Sequence, residues 1–336
     1  MTSDSPPQHQ HTVPAIARAP GKTILTGEHF AVLGAPAVAM AINLYSTVQV
    51  TPINRRTVEV EADIPMSTTR FDDQTFELAD ARKLFQPLKL AAQTTLRQLH
   101  RTREGVKVNV ECEIPIGAGL GSSASINVAI ISGVSKSQHV NLGKKQVSEI
   151  AFTPENVLHG KSSGVDQATC AYGGIIQFQR PFNIRRVRVR KAPNIIVCDT
   201  GIHHSTRQLV GSVLEKSKHD KNRFVNYIHD VRGISQTAVK ALETGDYHSL
   251  GYLMYENHEL LKKVGVSHPM LDKLVNVAKK SGALGAKLTG AGGGGCIIAL
   301  CETKQDRIRI SRALRRNGGL PYDVIMDLDG VKTEFS

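Results

Sequence analysis

The sequence predicts an α+β protein of two domains, and three observations carry that reading. The 336 residues exceed one ordinary domain. Strand-like alternation and helical periodicity occur in both halves, with four helical patterns in succession in the second. A very basic stretch, residues 180–191, separates the halves and suits a junction. The expected division is a disordered polar tail at residues 1–12, an N-terminal domain at 13–187 and a C-terminal domain at 188–336.

Taken in order, residues 13–19 read as a strand that runs into Pro20-Gly21, a turn signal. Lys22, Glu28 and His29 follow as polar residues in apolar surroundings; by themselves they fit a surface lysine and a structural Glu–His pair. Residues 38–51 and 57–62 read as strands, and 65–74 as a polar loop. Leu84, Leu88, Ala91, Ala92, Leu96 and Leu99 give residues 83–100 one apolar helical face. Val106, Val108, Val110, Cys112 and Ile114 then alternate with polar residues, as a half-buried strand should. Residues 143–152 read as a helix. Thr153-Pro154 should interrupt it and restart a second one as N-cap and first helical residue, ending near Gly160. Asp166 lies in a small-residue turn, where it can serve as a cap. Residues 194–200 read as a buried strand, followed by helices near 205–218, 223–243, 247–264 and 269–281. Two further strands, 283–289 and 296–301, flank five glycines in the six residues 290–295, more than a hairpin needs.

Composition narrows the function. Hydrophobic residues make up 40%, enough for real cores, and no segment approaches a membrane span. Lys and Arg number 42 against 30 Asp and Glu, a balance that suits anionic ligands. Arg186, Arg188 and Arg190 fall on one strand face, which fits a nucleic-acid patch or a solvated edge that discourages pairing. Aromatics are 5% with no Trp and none interleave there, which favours the second reading. Five scattered cysteines with no C-x-x-C read as reduced thiols of an intracellular protein. Residues 1–12, with His9 and His11, lack the apolar run of a secretory signal. The chain does not close on Ser-Lys-Leu. Cytoplasmic placement is expected, with a peroxisome-like organelle as the alternative.

The stretch from Ile114 to Ile126 has the strongest chemical character. Gly117, Gly119 and Gly121 alternate, Ser122 and Ser123 follow at once, and an apolar helical run begins. A backbone free of side chains can approach an anion, and a helix N-terminus offers it N–H groups and a positive dipole. The same stretch also fits a tight turn with capping serines. It is not a Walker A loop, since no Lys follows the last glycine, and its spacing is not that of a dinucleotide fingerprint.

Three separated clusters now stand together: Pro20-Gly21-Lys22 with Gly27-Glu28-His29, Pro115 to Ser123, and Lys287-Leu-Thr-Gly-Ala-Gly-Gly-Gly-Gly-Cys296. In this order they resemble the three signature motifs of the GHMP small-molecule kinases, across residues 15–300. Within that superfamily they are most similar to the mevalonate kinases, through A-P-G-K-x-I-L-x-G-E-H-x-x-V-x-G-x-P-A, S-G-V-D-Q with Y-G-G, and L-T-G-A-G-G-G-G-C. Phe30-Ala31-Val32 stands where a galactokinase has its sugar-binding stretch, and homoserine kinases lack an Asp at the place of Asp166.

The resemblance implies a ribosomal-S5-like N-terminal domain and a ferredoxin-like C-terminal domain with the active site between them. It implies transfer of phosphate from ATP to the C5 hydroxyl of (R)-mevalonate, giving 5-phosphomevalonate for isoprenoid and sterol precursors. It makes Asp166 the base or electrostatic anchor and Lys22 its partner. Pro115, Gly117, Ala118, Gly119, Leu120, Gly121, Ser122 and Ser123 become the phosphate cradle, and Ser123 and Glu155 the Mg²⁺ ligands. Glu28, His29, Thr206, Arg207, Gly290, Ala291 and Gly292 fall on the substrate side with Lys22 and Asp166. Arg207 and His29 are the candidate cations for the mevalonate carboxylate. Prenyl diphosphates competing with ATP are implied as feedback inhibitors, and a monomer or homodimer is expected, with no membrane and no nucleic acid as partner. The chemistry asks for the same residue types: phosphoryl transfer is largely positioning and charge neutralisation, and Mg²⁺ takes few protein oxygens. Another GHMP kinase, such as phosphomevalonate kinase, and a basic nucleic-acid-binding protein are the alternatives.

Overall fold

The structure, a computed structural model, describes residues 13–63, 78–202 and 205–336. The expected tail 1–12, the loop 65–74 and His204 lie outside these residues.

The first sheet is built on β1 (Ala15–Thr26) and the 17-residue β2 (Ala37–Ile53), antiparallel partners joined through a short 3₁₀ turn, Ala31–Leu33. The turn expected at Pro20-Gly21 is a bulge instead: β1 continues through it, with register shifts at Pro20/Gly21 and Ile24/Thr26. A bulge absorbs the proline, which has no N–H to give to the ladder. Next come β3 (Val58–Asp63), α1 (Leu78–Gln98) and β4 (Gly105–Cys112). β3 and β4 are parallel, with α1 between them in sequence, as a parallel pair requires. Then follow α2 (Ser122–Ser137), α3 (Lys144–His159), α4 (Val165–Tyr172), β5 (Ile175–Gln179) and β6 (Asn183–Val187). β2 pairs with β4 through Ser46–Ile53 and with β5 through Ala37–Met40, so the sheet branches along its length.

α2 is the central helix. From Ala124 to Ser137 only Lys136 escapes burial. It packs on β1 and β2 and is flanked by α1, α3 and α4, so an apolar face on one side alone would not suffice.

The second half forms β7 (Asn194–Asp199), α5 (Thr206–His219), α6 (Lys221–Thr244), α7 (Tyr247–Val264), α8 (Pro269–Lys280), β8 (Gly285–Thr289), β9 (Cys296–Cys301), α9 (Lys304–Arg316) and β10 (Leu320–Asp323). Its antiparallel sheet runs β10-β7-β9-β8, the order of a ferredoxin-like sandwich, with α7, α8 and α9 packed against it. The last strand, β11 (Lys332–Phe335), returns to the first sheet and pairs with β1. The division expected at 188–336 therefore differs at its end: the final strand belongs by pairing to the first sheet. Its four residues are all exposed, and their pairing with β1 alone makes them a strand.

Three other expectations are corrected. α3 does not restart at Thr153: it runs unbroken with Pro154 inside it, losing one helical hydrogen bond while packing against α1, α2 and α4. Asp166 lies not in a turn but in the first turn of α4. The strand carrying the arginine face ends at Val187, so Arg188 and Arg190 lie outside it. Arg185 pairs with Glu243, and Arg186 donates to the Leu328 carbonyl, so both hold this chain to itself. All five cysteines are free and buried. No helix among the described residues is long and apolar enough to cross a membrane.

Candidate active site

The bulged β1 places Lys22 directly beneath the glycine-rich loop. Its backbone N–H donates to the Leu120 carbonyl (2.9 Å) and its ammonium to the Gly119 carbonyl (3.0 Å). Lys22 is 1% exposed, so it is no surface lysine. Gly121, at φ 77°, is the N-cap of α2, and a Cβ there would sit 2.9 Å from Lys22 Cγ. The glycine thus serves two needs at once: the left-handed backbone and room for the lysine stem.

Lys22 Nζ lies 3.0 Å from Asp166 Oδ1, although 144 residues separate them in sequence. The Asp166 side chain is 35% exposed and faces the cavity that the loop overhangs. Beside it, Glu155 is buried at 2%. Asn127 donates to Glu155 Oε1 (2.7 Å), and the Ser123 hydroxyl lies 3.3 Å from Oε2. Burial first, and then the Asp166 charge, push the Glu155 carboxyl up to about 7. α3 therefore still presents Glu155 to Ser123 despite Pro154.

The second glycine-rich loop packs on the first. A Cβ at Gly290 would meet Gly119 Cα at 2.8 Å, and one at Gly295 the Ala118 carbonyl at 3.0 Å. The contacts show this loop packed against a neighbouring loop, and Gly290 and Ala291 of the same loop also line the cavity. Gly292 backs onto the Val266 carbonyl and does not line the cavity. The loop also holds His29, whose Nε2 lies 2.8 Å from the Ala291 carbonyl. His29 sits at φ 61°, an uncommon conformation for a residue with a side chain. Burial pulls its pKa down to about 4, so His29 is neutral near pH 7 and is not the cation proposed for a carboxylate.

Next to it, Glu28 and Lys287 form a fully buried ion pair. Burial raises the Glu28 carboxyl and lowers the Lys287 ammonium, each opposed by the partner's charge. Further polar contacts fasten the two halves here: Ile24 N–H to Thr289 Oγ1 (2.8 Å), Gly27 N–H to Asn257 Oδ1 (3.0 Å), and Thr26 with Ser235 (2.9 Å).

A cavity of about 390 Å³ gathers these groups. Lys22, Glu28, His29, Gly117, Gly119, Gly121, Ser122, Ser123, Glu155, Asp166, Gly290 and Ala291 line it. The start of α5 adds Thr206 and Arg207 from the second half. Pro115, Ala118 and Leu120 do not line it; Ala118 and Leu120 are fully buried and anchor the loop from behind. Sequence reasoning missed the partners rather than the principals. Asn127 and Asn257 carry no local mark, and Lys287 and Thr289, though they open the third motif, find partners in Glu28 and Ile24 that no local spacing shows. Pro87 and Leu88 of α1 also reach the cavity, and residues of an amphipathic helix carry no sign of that.

Two family descriptions match the chain: GHMP kinases N terminal domain over residues 86–174 and GHMP kinases C terminal over 238–320. The two packed glycine loops, with a lysine and an aspartate paired beneath the first, sit on the fold of a GHMP kinase. Mevalonate kinase from Pyrococcus furiosus is 34% identical over 95% of this chain and 98% of its own length. Mevalonate kinase from Methanocaldococcus jannaschii is 31% identical over 87% of this chain and 93% of its own. The crystal structure of L. major mevalonate kinase in complex with R-mevalonate superposes with a TM-score of 0.77 at 29% identity, covering 92% of this chain and 94% of that one. The chain belongs to the mevalonate kinase family of the GHMP kinases.

Proposed function

We propose that the protein transfers the γ-phosphoryl group of ATP to the C5 hydroxyl of (R)-mevalonate, giving ADP and 5-phosphomevalonate. The observation that carries this reading is the Lys22–Asp166 pair set beneath the glycine-rich loop. Phosphoryl transfer asks the protein for position and countercharge. The N-terminus of α2 and its preceding loop supply N–H groups for phosphate oxygens. Lys22 spends one donor on Gly119 and one on Asp166; its third serves the charge developing on the transferred group. Asp166, partly open to the cavity, accepts the hydroxyl proton and aims the oxygen.

Ser123 and Glu155 fit a Mg²⁺ ion. A hydroxyl and a carboxylate lie in contact, and the carboxyl's charge is penalised by burial and by Asp166, which a cation would relieve. Bound there, Mg²⁺ would neutralise phosphate charge. The acceptor's carboxylate needs a cation, and of the two candidates Arg207 remains, since His29 is neutral. Prenyl diphosphates would compete with ATP, their diphosphate in the cradle and their chain along Pro87, Leu88 and Ile116.

A coupled ADP-release assay over mevalonate, phosphomevalonate, galactose and homoserine tests the reading. Mevalonate should show the highest kcat/KM. A higher value for phosphomevalonate would move the function to the alternative kinase of the superfamily, whose substrate already carries phosphate.

A further inference from the structure

One polar side chain beside the site has no role in the account so far. Asn127 is the one polar residue in the run Ile126–Ile131 of α2, and it is fully buried. Asn is a weak helix former, and packing alone would favour an apolar residue there. It stands one turn after Ser123, so the two side chains share a face of α2. Together they meet Glu155 of α3: Asn127 Nδ2 donates to Oε1 (2.7 Å) and the Ser123 hydroxyl to Oε2 (3.3 Å). The amide has one orientation open to it. Turned over, it would set Oδ1 against an ionised carboxylate oxygen, acceptor on acceptor. In the orientation it holds, Oδ1 is buried with no hydrogen-bond partner. A buried acceptor without a donor costs free energy, so the chain gives up stability here to keep a donor on Oε1.

We infer that Asn127 is a positioning residue for Mg²⁺: by holding Glu155 Oε1 it sets the turn of the carboxylate and presents Oε2 beside the Ser123 hydroxyl. This rests on Ser123 and Glu155 being the Mg²⁺ ligands proposed above. A carboxylate rotates about its last bond, and a charge-assisted hydrogen bond to one oxygen restrains that rotation. α2 packs against β1, β2, α1, α3 and α4, so the Asn127 backbone is fixed and the amide cannot follow a carboxylate that swings. Asn does this without a charge of its own. A Lys in its place would neutralise the carboxylate and compete with the ion, and an Asp would repel it. The consequence is selectivity as well as affinity. Mg²⁺ demands near-ideal octahedral geometry, whereas Ca²⁺ accepts larger and looser sets of oxygens. A carboxylate free to turn therefore loses more toward Mg²⁺ than toward Ca²⁺.

The test reads ion binding rather than turnover. With enzyme in excess of ADP, Mn²⁺ held in the enzyme–ADP complex is followed by EPR while Mg²⁺ or Ca²⁺ displaces it. Asn127→Leu keeps the volume and removes the donor. It should weaken Mg²⁺ roughly 10- to 100-fold, the scale for losing an outer partner of a metal ligand. Ca²⁺ should lose at least about threefold less. In a Glu155→Gln background the same change should cost little more, since Asn127 acts through Glu155. Metal-free affinity for ADP should not move. Should Asn127→Leu fail to fold, Asn127→Ser, whose side chain is too short to reach Oε1, carries the same expectations. Unchanged Mg²⁺ affinity in the Asn127 variant, beside a large loss in Glu155→Gln, would overturn the positioning role. Equal losses of Mg²⁺ and Ca²⁺, or full additivity with Glu155→Gln, would overturn it too. Unchanged Mg²⁺ affinity in Glu155→Gln itself would instead overturn the metal assignment on which it rests.

Discussion

At the scale of single residues, the account turns on Asp166 and its two neighbours. Asp166→Asn should bind ATP nearly normally and lose roughly 10²-fold or more in kcat, the size of a lost base or electrostatic anchor. Lys22→Met should lower both kcat and nucleotide affinity, because one ammonium holds the loop and the aspartate together. Steady-state kinetics with nucleotide titration on both variants and the double mutant check this, and the losses should be far from additive. Near-wild-type kcat in Asp166→Asn would reduce this residue to a helix-start carboxylate. Glu155 gives a pH signature. Its carboxyl is pushed up to about 7 from an unperturbed 4.5. Below about 4.5 it is protonated in both folded and unfolded chains. As pH rises to about 7, the unfolded chain ionises first, so the stability it contributes is lost over that window, at most about 3 kcal/mol. In metal-free buffer, Tm of wild type minus Tm of Glu155→Gln should fall between pH 4.5 and 7, whereas parallel profiles would refute it. The same variant should need more Mg²⁺ for activity. Asp166, Lys22 and Ser123 were legible in the sequence because motifs carry them, whereas Glu155 stands in no motif and was named only through the family resemblance. The Glu28–Lys287 pair was not legible, since its members stand 259 residues apart and meet only in the folded chain.

At the scale of elements, glycines set what the loops can do. Gly121→Ala meets two obstacles, a positive φ and the Lys22 stem. It should cost activity out of proportion to stability, because the group it displaces is Lys22. Thermal melts and kcat measured on the same preparation check this, and unchanged kcat would mean the loop has slack. Most elements were legible from periodicity: the four helices expected in the second half begin and end within two residues of expectation. The exceptions have physical reasons. Pro154 argued for a break in α3, yet tertiary packing carries the helix through it. α9 has only Ile310 and Leu314 buried, so its apolar signal is thin. Its start was marked all the same: Thr303 and Asp306 form a reciprocal capping box, the one local cue that could have revealed it.

At the scale of the whole molecule, the site exists because two sheets are fastened to each other across it. Glu28 with Lys287, Thr26 with Ser235, and Gly119 against Gly290 join the first half to the second around a single cavity. The α+β class followed from length and mixed periodicity. The return of β11 to β1 did not, because four exposed residues carry no pattern of their own. The central claim is that this cavity moves phosphate onto one particular hydroxyl. Incubation with ATP, Mg²⁺ and (R)-mevalonate, followed by ³¹P NMR with proton coupling, tests it most directly. The account predicts a new phosphomonoester signal coupled to the C5 methylene protons, appearing with ADP and nearly abolished in Asp166→Asn. Release of inorganic phosphate alone, or a phosphate attached at the C3 oxygen, would contradict it.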